Sequence, residues 1–377
     1  MRRNFYLHVI IWILGFASPA LSQEPSNDLL LSPFWDFYSD NRLSATASGR
    51  GYTGIAGDND LSGIVLNPAT LKQDSKWQFY GEYIYKSKVP WLAGLVSDLD
   101  LKESHPALFA GVSYKINNYF QIGAAYANIK SFKFDLGTVI TTNKFGEPTG
   151  EDDASYNISF NSISIPLVYN FKNILRLGAN LNINLISNHA DLSTVQGKSN
   201  FIKFIPDFGI VYKPVSELSV GVTFTPETKQ NVETEITYPD TSITFTYREA
   251  NVFPMHVGMG LKYNFVKIPL SIYGDFKYVN TSAISNLVDR KDFHFGLEYN
   301  VTPIVTLRTG LFTLADYREN GIAWVDEVGT YSEVFGTIGG TVNYKNFNVH
   351  LGIMDSHIFS SGKIKQTHIN AGFGYKF

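Results

Sequence analysis

The sequence has 377 residues, of which 15% are aromatic, and carries a formal net charge of −3. Because it contains no cysteine, it can form neither a disulfide nor a thiolate metal site or nucleophile. Its charge provides no basic surface of the kind that binds nucleic acid.

The first 22 residues predict a signal peptide. Arg2 and Arg3 precede an apolar run at 5–16, and Ser22 ends a stretch with small residues at the positions that signal peptidase reads. The apolar run is shorter than the roughly 20 residues that a membrane-spanning helix needs. We therefore expect an exported chain that starts at residue 23. An exported, aromatic-rich chain is either a secreted β protein or an outer-membrane barrel.

Residues 23–75 form a polar segment that contains a glycine motif. Gly49, Gly51 and Gly54 match G-x-G-x-x-G, which binds dinucleotides when it follows a strand and opens a helix. Neither element is predicted here. We therefore predict no nucleotide and no other cofactor.

The remainder of the chain alternates between apolar and polar residues. From Leu175 to Leu185 every odd position is apolar, whereas the even positions include Arg176, Asn180 and Asn184. This period of two is typical of strands with one apolar and one wet face. Fourteen such runs are predicted, near residues 76–86, 106–116, 118–132, 155–170, 173–189, 200–213, 216–230, 243–264, 267–280, 290–300, 303–314, 332–345, 346–356 and 364–377.

The connections between these runs alternate in length. Short turns are predicted at Asn117, Lys172, Pro214, Phe265, Thr302 and Lys345, and long loops at 88–105, 135–153, 227–242, 281–289 and 315–331. An even number of strands, with short turns on one rim and long loops on the other, is the pattern of an outer-membrane barrel.

Aromatic residues support the barrel. Each strand that enters a short turn or the C-terminus carries a tyrosine near its end, namely Tyr114, Tyr169, Tyr212, Tyr263, Tyr299, Tyr344 and Tyr375. Such rings suit the membrane interface. The chain ends with alternating aromatics and a terminal Phe377, which resembles the assembly signal of outer-membrane proteins. We therefore expect the barrel assembly machinery and outer-membrane lipid as partners.

Asn67, Pro68 and Ala69 follow the glycine motif and directly precede the first strand. This arrangement resembles the FadL-like family of outer-membrane transporters for long-chain fatty acids and other hydrophobic compounds. The stretches 208–224, 253–263 and 295–317 resemble the paired strands of that family. The resemblance implies an all-β transmembrane antiparallel barrel of about 14 strands at 76–377, with residues 23–75 as a hatch in its lumen.

The resemblance also implies passive uptake of a hydrophobic molecule, with no enzymatic activity. The molecule would bind in the lumen and leave sideways into the bacterial outer membrane where the third strand kinks. The small residues at which this strand can kink most easily are Gly123, Ala124 and Ala125. The first long loop is apolar and is a candidate landing surface through Trp91, Leu92 and Leu95.

A ligand carboxylate requires a cation in an otherwise apolar lumen. The candidates in this sequence are Arg308, Arg176 and Lys277. Lone histidines recur on strands at positions that face the lumen (His256, His294, His350 and His368), but their spacing predicts no metal site. We expect a monomer.

Three other functions are weighed against transport. A barrel of the same fold could act as a secretion or assembly partner for exported proteins, and the sequence barely separates this from transport. A lipolytic enzyme could use Asn348 and His350, but no serine motif accompanies them. A porin for polar solutes is disfavoured because the predicted hatch would block an aqueous channel.

Overall fold

A computed structural model describes residues 41–57, 60–71, 75–87, 107–142, 148–192, 196–239, 242–284, 287–316, 332–359 and 365–377. The predicted signal peptide and the landing-loop residues Trp91, Leu92 and Leu95 lie outside these described residues. Among the described residues, no helix is long and apolar enough to cross a membrane.

The described residues form sixteen strand segments in one antiparallel sheet. Their bounds are β1 Trp77–Lys86, β2 Ala107–Lys115, β3 Phe120–Thr142, β4 Pro148–Phe171, β5 Leu175–Leu192, β6 Gln196–Tyr212, β7 Leu218–Thr225, β8 Thr228–Tyr238, β9 Ile243–Phe253, β10 His256–Asn264, β11 Leu270–Val279, β12 Arg290–Asn300, β13 Val305–Leu314, β14 Glu333–Tyr344, β15 Phe347–Asp355 and β16 Thr367–Lys376.

Two pairs of these segments each occupy a single position in the wall. β7 and β8 are separated at Pro226, and both pair with β6. β9 and β10 are separated at Pro254, where proline again cannot donate to the ladder. The result is a closed barrel of 14 strands, which confirms the predicted number.

Two of the predicted long loops are wrong, because the strands continue through them. β3 and β4 extend to residues 142 and 148, and β8 and β9 extend to 238 and 243. Most of 135–153 and 227–242 is therefore strand. The segment Thr228–Tyr238 is polar on its outer face, so the apolar alternation that identifies the other strands fades there.

The barrel is apolar outside and polar inside. In β5 the side chains of Leu177 and Leu181 are more than 40% exposed, whereas Arg176 and Asn180 are buried. This distribution of apolar and polar side chains is the reverse of that in a soluble protein, and it matches a wall whose outer face contacts lipid. The predicted apolar and wet faces are thereby assigned to the outside and the lumen.

The six predicted short turns all lie at one rim. Tight connections join β2 to β3, β4 to β5, β6 to β7, β10 to β11, β12 to β13 and β14 to β15 at one end, the short-turn rim. All seven predicted tyrosines lie in strands close to this rim, and Tyr299 and Tyr344 are exposed. We call the opposite end the long-loop rim. At the seam between the chain ends, Trp77 and Phe377 exchange backbone hydrogen bonds.

Residues 41–57 and 60–71 are packed inside the barrel, and we refer to them as the hatch. They contain the short helix α1 (Ala45–Ser48) and the 3-10 helices η1 (Leu61–Val65) and η2 (Pro68–Thr70). Nearly every hatch residue is buried. The carboxamide of Asn67 caps η2 by accepting a hydrogen bond from the Ala69 N–H at 2.9 Å.

Candidate functional site

The hatch backbone lies directly against the wall because the wall lacks side chains there. A Cβ at any of nine inward-facing glycines would come within about 2.8 Å of a hatch atom, closer than real Cβ atoms approach. This set, the glycine belt, comprises Gly178, Gly209, Gly221, Gly258, Gly260, Gly296, Gly310, Gly339 and Gly352. It extends over strands from β5 to β15.

The glycine motif of the hatch is the other half of this contact. Gly51 has φ +63°, and a Cβ there would lie 2.0 Å from the carbonyl oxygen of Phe295. A Cβ at Gly49 would lie 2.8 Å from the Cα of Gly339. The N–H of Gly54 donates to the Asp275 carboxylate at 2.7 Å. The motif therefore permits close packing of two backbones, and within residues 41–57 and 60–71 no strand–helix unit surrounds it.

Asn67 ties the end of the hatch to two wall strands. Its Nδ2 donates to the carbonyl of Ile55 at 2.7 Å, and also lies within hydrogen-bond distance of the carbonyls of Ile210 (3.3 Å) and Val222 (3.2 Å). Pro68 occupies the first turn of η2, where a missing N–H has no cost. The Asn67–Pro68–Ala69 stretch thus holds the hatch against β6 and β7.

A buried ion-pair network holds the hatch on the opposite side. The Arg50 guanidinium lies 3.0 Å from the Glu298 carboxylate and 4.0 Å from the centre of the Tyr273 ring. Burial alone lowers the pKa of Arg50, but Tyr273 and Glu298 outweigh it and raise the pKa above its ordinary value. Arg50 therefore remains charged. Arg308 donates to the same carboxylate at 2.7 Å.

The hatch packs against β1–β4 through apolar side chains. Hatch residues and wall residues form one buried cluster made of Leu43, Leu61, Ile64, Leu71, Tyr80, Ile84, Ala107, Phe109, Ala125, Ala127 and Val168. The described hatch residues therefore contact the wall on both sides, by close backbone contact and hydrogen bonds on one side and by hydrophobic packing on the other.

The predicted kink residues lie in β3, where its ladder with β4 is briefly interrupted. Ile122 pairs with Leu167 and Ala125 pairs with Ser164, but Gly123 and Ala124 have no paired partner on β4. A Cβ on Gly123 would lie 3.0 Å from Pro166. The first register shift in this ladder falls between Asn128 and Lys130.

The three predicted carboxylate-binding cations all lie on the inner wall. Arg308 is engaged by protein groups, since its second hydrogen bond goes to Thr341 Oγ1 at 2.5 Å. Arg176 is buried in β5. Lys277 lies with Nζ 4.4 Å from the centre of the Tyr52 ring and 3.4 Å from the Tyr52 carbonyl oxygen.

A further cation that the sequence analysis did not identify lies on the hatch. Arg42 is 6% exposed, and its guanidinium carbon is 5.3 Å from the centre of the Phe312 ring and 5.9 Å from that of Phe335. It also lies 5.7 Å from the Tyr52 ring. Among the described residues, no acceptor hydrogen-bonds or pairs with this guanidinium. No motif surrounds position 42, so nothing in the sequence distinguishes it.

The rings next to Arg42 form a buried stacked cluster on the long-loop side of the hatch. Phe312 and Phe335 stack with centroids 4.8 Å apart, and His294 stacks on Phe312 at 5.3 Å. Tyr52 of the hatch contacts both His294 and Phe312. We name these four residues the aromatic floor.

Solved structures with the same architecture are membrane transporters. The toluene transporter TbuX of Ralstonia pickettii gives a TM-score of 0.63 at 13% identity, covering 90% of this chain and 100% of that chain. A FadL homologue of Pseudomonas aeruginosa gives 0.64 at 12% identity, with 89% and 98% covered. The chain has the FadL-like fold.

The toluene transporter TodX of P. putida agrees with this, with a TM-score of 0.60 at 14% identity over 89% of this chain and 98% of that chain. No protein-family model matches the chain, and no curated protein matches it in sequence. The FadL-like fold is thus evident from the arrangement of strands.

Proposed function

We propose that this FadL-like barrel is a bacterial outer-membrane channel for passive uptake of hydrophobic molecules that carry a carboxylate, such as long-chain fatty acids. The observation that carries the proposal is Arg42, a buried guanidinium that faces aromatic rings and has no hydrogen-bonded anionic partner among the described residues, the Glu333 carboxyl acting on it only at longer range. Lys277 lies beside the same Tyr52 ring.

A buried cation without a hydrogen-bonded anion is costly, and cation–π contacts offset only part of that cost. A carboxylate would supply the missing partner, since the guanidinium fork matches its two oxygens. Phe312 and Phe335 would contact the apolar body of the same ligand. This combination suits an amphipathic acid better than a sugar or an inorganic ion.

The close packing of the hatch favours sideways release over straight passage. The described hatch residues contact the wall closely along both the glycine belt and the apolar cluster, which argues against a porin for polar solutes. A bound molecule would therefore leave the lumen through the wall into lipid. TbuX and TodX, the toluene transporters with this fold, also handle hydrophobic molecules.

The test compares a long-chain fatty acid with the alcohol of the same chain length. Purified barrel is titrated with each fluorescent compound, for the parent and for Arg42→Met. We expect the parent to bind the acid more tightly than the alcohol, and Arg42→Met to lose that preference while still binding the alcohol. Arg248→Met is the matched control, because Arg248 pairs with Glu233 on the exposed face of β9.

Equal affinity of the parent for acid and alcohol would contradict the carboxylate site. Binding of neither compound would contradict transport of hydrophobic molecules altogether and would favour the secretion-partner function. Retained resistance of the barrel to heat and detergent shows that each variant is folded.

A further inference from the structure

The wall contains a long interruption between β6 and the neighbouring position shared by β7 and β8. β6 pairs with β7 from Tyr212 to Phe208 and with β8 only from Lys198 to Gln196. The intervening residues, 199–207 on one side and 225–234 on the other, are all described and form no backbone pairing with each other. Nine strand residues span about 30 Å. We name this gap the β6–β8 window.

Prolines account for the position of the window. Pro206 lies on the β6 side and Pro226 on the opposite side, between β7 and β8. Proline has no N–H to give to a ladder and is confined to edges and breaks of sheets. Each side is nonetheless held by its other neighbour, since β6 pairs with β5 and β8 pairs with β9. The window therefore has two firm edges.

Side chains bridge the window where backbone bonds are missing. Asp207 accepts across the window from Thr225 Oγ1 at 2.5 Å, and Asn182 Nδ2 of the neighbouring strand β5 holds the same carboxylate at 2.5 Å on its own side. Lys203 Nζ donates to the Lys229 carbonyl at 2.9 Å, and Gln230 Nε2 donates to the Ile202 carbonyl at 3.2 Å. Each such bond contributes about 1 kcal/mol. A few side-chain movements can open this part of the wall, whereas opening a ladder would break every strand hydrogen bond.

The window connects the lumen to the apolar outer surface. Thr225 lies at the end of the window that is nearer the short-turn rim, and it pairs with His256. The His256 side chain faces inward and is nevertheless exposed, so open lumen reaches this end of the window. On the outside, Ile202 and Phe204 of β6 are more than half exposed, as is usual for lipid-facing residues. The outer face of β8 is polar, with Lys229 and Glu233 exposed. The window therefore lies where the apolar belt meets the aqueous interface.

We propose that the β6–β8 window is the lateral exit through which an amphipathic acid passes from the lumen into the surrounding lipid. This inference rests on the proposed function. The interruption at Gly123 and Ala124 is only two residues long, and Ala125 and Leu61 are buried behind it. The window is longer, and exposed lumen lies beside it. Lys203 at its inner edge can donate a hydrogen bond to the carboxylate head while the apolar body enters lipid.

The experiment cross-links the window after the barrel has folded. The parent has no cysteine, so Ile205→Cys with Thr228→Cys introduces the only thiols, one on each edge, and leaves the bridging side chains intact. Intact cells of a host lacking its own fatty-acid channel are treated with a bis-methanethiosulfonate linker, which reductant removes. Uptake of a radiolabelled long-chain fatty acid is measured before linking, after linking and after reduction.

Two matched pairs serve as controls. Ile163→Cys with Ile183→Cys links β4 to β5 where their ladder is continuous. Ala124→Cys with Ile165→Cys links the β3–β4 interruption. We expect the window link to reduce uptake to that of cells without the barrel, and reductant to restore it, while the purified linked barrel still binds the acid. We expect neither control link to reduce uptake.

Unchanged uptake with the window fully linked would contradict the proposed position of the exit. Loss of uptake caused only by the link at Ala124 would also contradict it. Absence of uptake by the parent would instead overturn the proposed function, and the exit with it. The two failures are therefore distinguishable.

Discussion

The side chain of Asn67 occupies the space that a side chain on Gly209 would need. A Cβ at residue 209 would lie 1.8 Å from Asn67 Oδ1, which is far inside van der Waals contact. Asn67 cannot retreat easily, because its Nδ2 is held by the Ile55 carbonyl. The position of the hatch and the absence of a side chain on the wall therefore depend on each other.

Gly209→Ala is expected to displace the hatch without opening the wall. The added methyl group must push the Asn67 carboxamide from its contacts, whereas the β5–β6 and β6–β7 ladders are backbone bonds that alanine retains. We expect higher or noisier single-channel conductance in planar bilayers. Gly274→Ala is the matched control, because no atom lies within 4 Å of a Cβ there. Identical conductance in both variants would show that residue 209 does not fix the hatch.

Arg50→Met is expected to loosen the hatch far more than the same change at an exposed ion pair. Arg50 is fully buried against Glu298, and breaking a buried pair costs about 3 kcal/mol or more. Because Arg308 remains next to Glu298, we expect a cost near the lower end of that range. The exposed pair of Arg248 with Glu233 contributes about 0–1 kcal/mol. Hydrogen exchange at the Gly54 and Ile55 amides measures the free energy of local opening, and equal effects of Arg50→Met and Arg248→Met would refute the prediction.

Acid is expected to loosen the hatch through Asp60. Burial by itself raises the pKa of this carboxyl, but His350 and the hydrogen bonds from Ser62 and Thr46 outweigh it, so the pKa falls below its ordinary 3.8. A depressed pKa in the folded state stabilises the fold above 3.8, and this stabilisation is lost as pH falls through the lower, folded value. Amide exchange of Thr46, which donates to Asp60 at 3.1 Å, should accelerate below about pH 4.

Asp60→Asn should remove this acid dependence, because the amide does not titrate. Glu233→Gln is the control, since Glu233 lies exposed on the outer face of β8. An unchanged acid response in Asp60→Asn would assign the loosening to another group.

Phe377→Ser is expected to reduce assembly of the barrel and to leave export intact. Phe377 stacks on Phe79 with centroids 5.6 Å apart and closes the seam by its backbone bonds to Trp77. Loss of the ring removes the side-chain part of that closure. Tyr344→Ser alters an equally exposed aromatic at the same rim and serves as the control. The amount of heat-modifiable barrel in membranes is measured relative to the total exported chain. Equal ratios for the two variants would contradict a special role of the terminal residue in assembly.

The barrel could be predicted from the sequence because lipid imposes a regular pattern. Alternation along Leu175–Leu192 and the tyrosines before each short turn follow from a wall with one lipid-facing side. The pattern fades beyond the apolar belt, as in β8, where the outer face carries Lys229 and Glu233. The extra length of the β3–β4 and β8–β9 hairpins was missed for that reason. The window was missed as well, since it depends on which strands fail to pair.

The candidate site was only partly predictable. The glycine motif and Asn67 stand out in the sequence because their conformations require particular residues. Arg42 does not, since the rings that surround it come from β13, β14 and a later part of the hatch. Arg308 is a basic residue on the lumen side of its strand. Only the structure reveals that its guanidinium is hydrogen-bonded to Glu298 and Thr341.

The glycine belt has a consequence for how such barrels diverge. The path of the hatch corresponds to an ordered series of wall positions that cannot accept a β-carbon, from Gly178 near Ala69 to Gly352 near Ala45. A hatch transplanted from another barrel would fit only if its own turns met vacant positions in the same order. Drift in either part is therefore constrained by the other, and the inward glycines of a distant relative should trace its hatch even where the hatch sequence has become unrecognisable.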